Sequence, residues 1–157
     1  MELTITEKTA KELYPETPNW FQKILKETFG KKCFEKRKFD EIKTFDDACR
    51  ECSMTELDFN ENFGNKGLSI DTIAYEKLKI IIRAINQNWQ PNWNDENQKK
   101  WWPYFNLSSG FGFSGSVYDY DFTGASVGSR LCFESKEKAD YAANQFLKIY
   151  EDFLTIK

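Results

Sequence analysis

Ser69-Ile70-Asp71-Thr72-Ile73-Ala74-Tyr75-Glu76-Lys77-Leu78-Lys79-Ile80-Ile81-Ile82-Arg83-Ala84-Ile85-Asn86-Gln87-Asn88-Trp89 is the longest stretch of this chain that keeps one period. Ile70, Ile73, Ala74, Leu78, Ile81, Ile82, Ile85 and Trp89 recur at i, i+3 and i+4, the spacing of one helical face. Ser69 suits the N-cap and Pro91 cannot continue the helix, so the pattern predicts a helix over 69–89. Its apolar stripe is wide enough for a central, largely buried element.

Downstream of this helix the period changes. A Trp/Asn/Pro loop from Trp89 to Asn97 leads into Trp101–Leu107, which is aromatic and strand-like. Pro103 inside it predicts an edge position or a bulge, because proline has no N–H for the ladder. Ser108–Ser116 is rich in Gly and Ser. Val117-Tyr118-Asp119-Tyr120-Asp121-Phe122 alternates with period 2 and places Asp119 and Asp121 on one face. Gly124, Ser126 and Gly128 mark a turn, and Arg130–Phe133 reads as a further short strand. Ser135 caps a last helix along Ala139, Ala142, Ala143, Phe146, Ile149, Tyr150 and Phe153.

Upstream, the reading is of short helices. Thr6–Tyr14 is one, stopped by Pro15. Another starts at Pro18 and carries Trp20/Ile24 and Phe21/Leu25 as an apolar face before Gly30 ends it. Thr44, followed by Asp46 and Asp47, predicts a capped helix through Cys52. Asn60–Leu68, with Gly64, Asn65 and Gly67, is a loop. The fold class that results is α+β in a single domain, 1–157. A helical N-terminal region (1–60) precedes an α+β core (69–157), whose small antiparallel sheet, about 101–133, packs against helices at about 69–89 and 135–154. Ile73, Ile81, Ile85, Phe146 and Phe153 are expected in the core.

Composition narrows the chemistry. The 157 residues include no histidine, which excludes Ser-His and Cys-His pairs, imidazole metal ligands and imidazole acid–base catalysis. A net charge of −3 offers no global attraction to nucleic acid or anionic membrane. Charge is nonetheless uneven. Residues 31–43 carry six basic side chains against three acidic ones, and residues 44–62 carry six acidic ones against Arg50. The plain reading is a solvated, self-compensating surface. The N-terminus has no basic n-region or apolar h-region, and no apolar run reaches a membrane span. The cytoplasm, with Cys33, Cys49, Cys52 and Cys132 reduced, is therefore the expectation.

Three motifs invite chemistry. Gly110-Phe111-Gly112-Phe113-Ser114-Gly115-Ser116-Val117 fits the glycine-rich loop of protein kinases, but the lysine, catalytic aspartate and metal-binding aspartate of that chemistry have no counterparts. Cys49-x-x-Cys52 is one cysteine pair where a structural zinc site needs four ligands, so no bound metal and no cofactor are expected. Asp119 and Asp121, with Glu134, form at most a minor candidate for cation binding or hydrolysis.

Aromatic density is the stronger signal. Nine aromatics occupy the 22 residues from Trp101 to Phe122, and alternation on a strand sends them to both faces. Helices can cover one face, so the remainder points to a binding surface, with Trp93, Trp102, Tyr104, Phe111 and Phe113 as candidates and Arg130 as a charged anchor. Arg130 is the only cation between 101 and 134. That favours a protein partner (host, phage or a second copy) or a neutral ligand over nucleic acid, and gives no role to a membrane. Function is therefore read as non-enzymatic binding. The alternative is a nucleic-acid-binding accessory factor using the basic segment 31–43.

From about Phe39 onward the chain resembles an uncharacterised family encoded in prophages and mobile elements of gut Bacteroidetes. The likeness rests on Ile42-Lys43-Thr44-Phe45-Asp46-Asp47-Ala48, on Trp89-Gln90-Pro91-Asn92-Trp93-Asn94 with Gln98-Lys99, and on Ser108-Ser109-Gly110-Phe111. It is strongest over Ser129-Arg130-Leu131-Cys132-Phe133-Glu134-Ser135 and on through Ala139, Tyr141, Ala142 and Phe146. The resemblance implies a phage-associated setting in a bacterial host cell. It carries over no functional residues.

Overall fold

The computed structural model describes residues 5–35, 38–87, 89–95, 97–107, 110–119 and 129–156, without the side chains of Lys8, Lys32, Val117, Tyr118, Asp119 and Ser129. The chain forms two compact units, Met1–Arg37 and Lys38–Lys157. Tyr120, Asp121, Phe122 and the turn around Gly124, Ser126 and Gly128 lie outside the described residues, as do Lys36 and Arg37.

The first unit holds α1 (Glu7–Leu13) and α2 (Asn19–Phe29), each followed by a short 3-10 turn. Thr6 caps α1, and Gly30 ends α2 at φ 84°, where a Cβ would be strained. Gln22 Nε2 donates to the carbonyls of Tyr14 and Thr17, each at 3.0 Å, which fixes the turn between the helices. Leu25 is buried and Phe21 half-buried, but Trp20 is 67% exposed and Ile24 is exposed too. The 21/25 stripe faces inward and the neighbouring 20/24 stripe does not, because two short helices can cover only one of two adjacent stripes.

The second unit contains α3 (Phe45–Glu51), α4 (Glu56–Phe59), α5 (Ile70–Asn86), β1 (Lys100–Asn106), β2 (Gly112–Asp119), α6 (Lys136–Gln145) and α7 (Leu147–Leu154). It is an α+β arrangement with a two-stranded antiparallel sheet against helices, as the periodicities predict. Thr44/Asp47 and Thr55/Asp58 close complete capping boxes on α3 and α4. Asp46 pairs with Arg50. Half of the acidic block at 44–62 is thus used locally, by helices of its own segment. Ser69 occupies the N-cap of α5, but its hydroxyl meets that of Thr72 at 2.8 Å rather than a backbone N–H.

Helix α5 runs through the core. Leu78, Ile81 and Ile85 are fully buried beside Ile42, Phe59, Phe133 and Phe146. Ile73 and Phe153 pack at the edge of this cluster and remain half-buried. The last helix of the sequence reading is two helices, broken at Phe146 (φ −114°, ψ 28°). The break divides the labour. Helix α6, with small Ala139, Ala142 and Ala143 inward, lies on both strands, and α7 packs along α5.

Helix α5 ends at Asn86, earlier than the periodic pattern, with Gln87 left-handed (φ 52°, ψ 49°). Asn86 is buried and its amide bridges a neighbouring segment: Nδ2 donates to the Cys132 carbonyl at 2.9 Å, and Oδ1 accepts from the Glu134 N–H at 3.2 Å. On the opposite side Phe133 exchanges both backbone hydrogen bonds with Trp101. Residues 132–134 are therefore held like a strand, with β1 on one side and a single side-chain amide on the other. The strand expected at Arg130–Phe133 is this one bridge, preceded by a 3-10 turn at Ser129–Leu131. Pro103 explains its brevity. Antiparallel alternation makes residue 103 the next ladder position after Trp101, and proline has no N–H to give.

Two outcomes follow for stability. Asn86→Ala leaves a buried carbonyl and a partly buried N–H without partners, and denaturant titration should show a loss of about 1–3 kcal/mol. Tyr150 is only 4% exposed, burial pushes its phenol pKa strongly upward, and its hydroxyl has no hydrogen-bond partner among the described residues. Tyr150→Phe removes an unsatisfied buried polar atom, so the same titration should show no loss and a gain of up to about 1–2 kcal/mol.

Candidate functional site

The candidate aromatics separate by register. In β1, Trp101, Pro103 and Phe105 face the core, while Trp102 and Tyr104 point the other way; Tyr104 is 61% exposed and Trp102 half-buried. Tyr104 pairs with Gly115, whose φ of 145° accompanies a bulge at Ser114 between the Tyr104 and Phe105 pairings. Phe111 stacks on Phe105 with centroids 4.9 Å apart, and Phe113 meets the same ring edge-on at 5.9 Å. Phe105 in turn lies 4.8 Å from the Tyr150 ring. Phe111 and Phe113 thus join a cluster at the rim of the core, and Trp102 and Tyr104 occupy the opposite face of the sheet.

Trp93 and Arg130 come together elsewhere. A cleft of about 550 Å³ is lined by Lys79, Ile82, Arg83 and Asn86 of α5, by Trp89, Gln90, Pro91 and Trp93 of the following loop, and by Arg130 and Cys132. Residues 37 positions apart in sequence, Trp93 and Arg130, reach it because Asn86 binds residues 132 and 134. The loop is not slack. Trp89 N–H bonds to the Asn86 carbonyl at 3.0 Å, the Asn92 and Asp95 side chains accept from the N–H two residues on, and Gln98 Oε1 accepts from Asn92 N–H at 2.6 Å. Lys100, itself buried, donates from Nζ to the carbonyls of Gln98 (2.9 Å) and Asp95 (3.3 Å) and stands 5.2 Å from the Trp93 ring centroid. That ammonium fixes both the loop and the indole.

Among the described residues, three cationic side chains and no carboxylate line the cleft. Lys79 is committed to Glu76 at 2.6 Å and lies over Tyr75, so it contributes its stem more than its charge. Arg83 and Arg130 are exposed, and neither has a carboxylate partner among the described residues. The one thiol in the cleft, Cys132, is pushed up to about 11, chiefly by burial, with a backbone hydrogen bond and Lys100 pulling weakly the other way. Cys52, near Arg83, is likewise raised to about 11 by burial, and Cys49 beside it to about 11. Burial thus favours the neutral thiol at all three positions, the less nucleophilic form.

The remaining motifs are structural in the described residues. Cys49 is buried within α3, and Cys52 caps its end with Sγ 3.6 Å from the Ile80 carbonyl. Glu134 pairs with Lys138 at 2.6 Å. The Asp119 side chain and all of Asp121 lie outside the described residues. In the basic segment, Lys31, Lys38 and Lys43 are exposed, and the segment straddles the boundary between the two units. No helix among the described residues is long and apolar enough to cross a membrane.

Sequence reasoning missed Arg83, Trp89 and the positioning lysine Lys100. Arg83 falls between apolar positions of an amphipathic helix, and no local pattern says that Arg130 returns beside it. No family model matches this chain, nor does any curated protein or solved structure.

Lys100→Met removes two hydrogen bonds from a buried ammonium to carbonyls that close the loop. The expected loss is about 1–3 kcal/mol in urea unfolding, with faster hydrogen exchange at residues 92–98 than in α5.

Proposed function

We propose that the chain is a non-enzymatic binding protein and that its ligand is an anion taken by the cleft of Arg83, Trp89, Trp93 and Arg130. The phage or mobile-element setting implied by the sequence resemblance belongs to the same proposal. One observation carries it: two exposed guanidinium groups without carboxylate partners among the described residues share a cleft of about 550 Å³ with two indoles. That volume lies within the roughly 300–1,000 Å³ of small-molecule sites. Guanidinium groups present planar, always-charged forks suited to carboxylate or phosphate oxygens. The reading is supported by a chain without histidine, by the lack of a carboxylate among the described lining residues, and by burial that favours the neutral thiol at Cys132.

Thermal unfolding in added sulfate, phosphate or pyrophosphate, at ionic strength matched with chloride, tests the proposal. Multivalent anions should raise the melting temperature of the wild-type chain in a saturable way, as a ligand of the native state does. Arg83→Gln/Arg130→Gln should melt normally without anion and lose most of the rise. An equal rise in both proteins, or none in either, would count against the cleft.

A further inference from the structure

We infer that the anion is a phosphorylated nucleoside, held by its phosphate on Arg83 and Arg130 and by its base against Trp89 and Trp93. This rests on the reading of the cleft as the binding site and specifies what fills it.

Size is the first argument. A bare phosphate would occupy a small part of about 550 Å³, so the ligand has a substantial body besides its charge. The second argument is the character of the walls. Charge comes from α5 and the 129–131 turn, while ring surface comes from the loop after α5. A ligand that uses the whole cleft therefore carries an anionic group and a flat apolar group in one molecule. An aliphatic polyanion would leave both indoles wet, and a neutral aromatic would leave both guanidiniums without a counter-charge.

Phosphate suits the two arginines better than a single carboxylate, because its several oxygens can accept from two forks arriving from different elements. Nucleobases stack on indole rings with little regard to sequence, by about 1–3 kcal/mol per base as read from alanine substitution. The indole is held in place before any ligand arrives, since Lys100 stands over Trp93 and is itself fixed by two carbonyls. Gln90, exposed on the lining, offers an amide that can both donate to and accept from a base edge.

A free nucleotide and the terminal nucleotide of a single strand present this same chemistry. Net charge does not settle the matter, because the described lining residues carry cations and no carboxylate in a chain of net charge −3.

The test is calorimetric titration of the full chain with adenosine monophosphate, uridine monophosphate, adenosine, ribose 5-phosphate and a short single-stranded oligonucleotide, followed in parallel by Trp fluorescence. Adenosine monophosphate should bind at least about tenfold more tightly than adenosine or ribose 5-phosphate and quench Trp emission. Arg83→Gln and Arg130→Gln should each weaken it by about tenfold or more and leave adenosine unchanged. Arg130→Lys should recover only part of the loss. Trp93→Leu should bring adenosine monophosphate down to the level of ribose 5-phosphate; if that variant misfolds by circular dichroism, the arginine variants, both at exposed positions, carry the test. An oligonucleotide that competes with the mononucleotide supports the proposal, with the tighter of the two naming the source. One that binds without competing overturns it. Equal binding of ribose 5-phosphate and adenosine monophosphate, without quenching, overturns the nucleoside assignment while the anion cleft stands. If no anion binds here or shifts the melting temperature, both readings fall.

Discussion

A buried amide ties the end of α5 to the segment that pairs with β1. Asn86 closes α5, and its side chain stands where a fourth strand would lie beside residues 132–134, meeting a carbonyl with Nδ2 and an N–H with Oδ1. Amide geometry admits only that orientation, so the contact specifies register as well as adhesion. A strand partner would have needed several extended residues. One asparagine supplies both polar contacts within the width of a side chain, which is why α5 can stop there and turn directly into the loop that carries Trp89 and Trp93. Once 132–134 is fixed, Arg130 and Cys132 have few places to go. The cleft is a consequence of that clamp.

The periodicities that sequence displays most openly are those the structure keeps. Seven of the eight apolar positions at helical spacing lie in α5, with Leu78, Ile81 and Ile85 fully buried, and alternation in β1 separated Trp101 and Phe105 from Trp102 and Tyr104. Pro103 marked an edge, and the structure shows what the edge is for: it limits the third strand to one bridge. What sequence hid was set by long-range contact. The end of α5 depends on a hydrogen bond spanning 46 residues, which no local window holds. The break at Phe146 serves two packing partners, the sheet for α6 and α5 for α7, and both halves share one helical period. Trp20 and Ile24 show the reverse failure, where a good apolar stripe has no covering element in its own unit.

The cleft was illegible for the same reason. Along residues 101–134 the sequence shows Arg130 alone, which argues against nucleic acid. The fold adds Arg83 from 47 positions earlier, and a lone cation becomes a pair. Among the described residues, the acidic side chains that balance the chain globally do not line the cleft. Asp47 and Asp58 are fixed in capping boxes, Asp46 on Arg50, Glu76 on Lys79 and Glu134 on Lys138. Electrostatic character at a site follows from which charges are already partnered, and local capping and i,i+4 pairing partner many of the carboxylates without touching either guanidinium.

Rigidity and charge are supplied by different residues in this cleft, and that division bears on what it can do. Lys100 is cationic but buried, and its hydrogen bonds and ring contact are all with the loop it holds. Arg83 and Arg130 are exposed and hold nothing together among the described residues. A site whose frame is fixed by one set of groups and whose charge is carried by another loses little order on binding, because the loop and the indole are already in place. Its arginines can also be replaced without disturbing the frame.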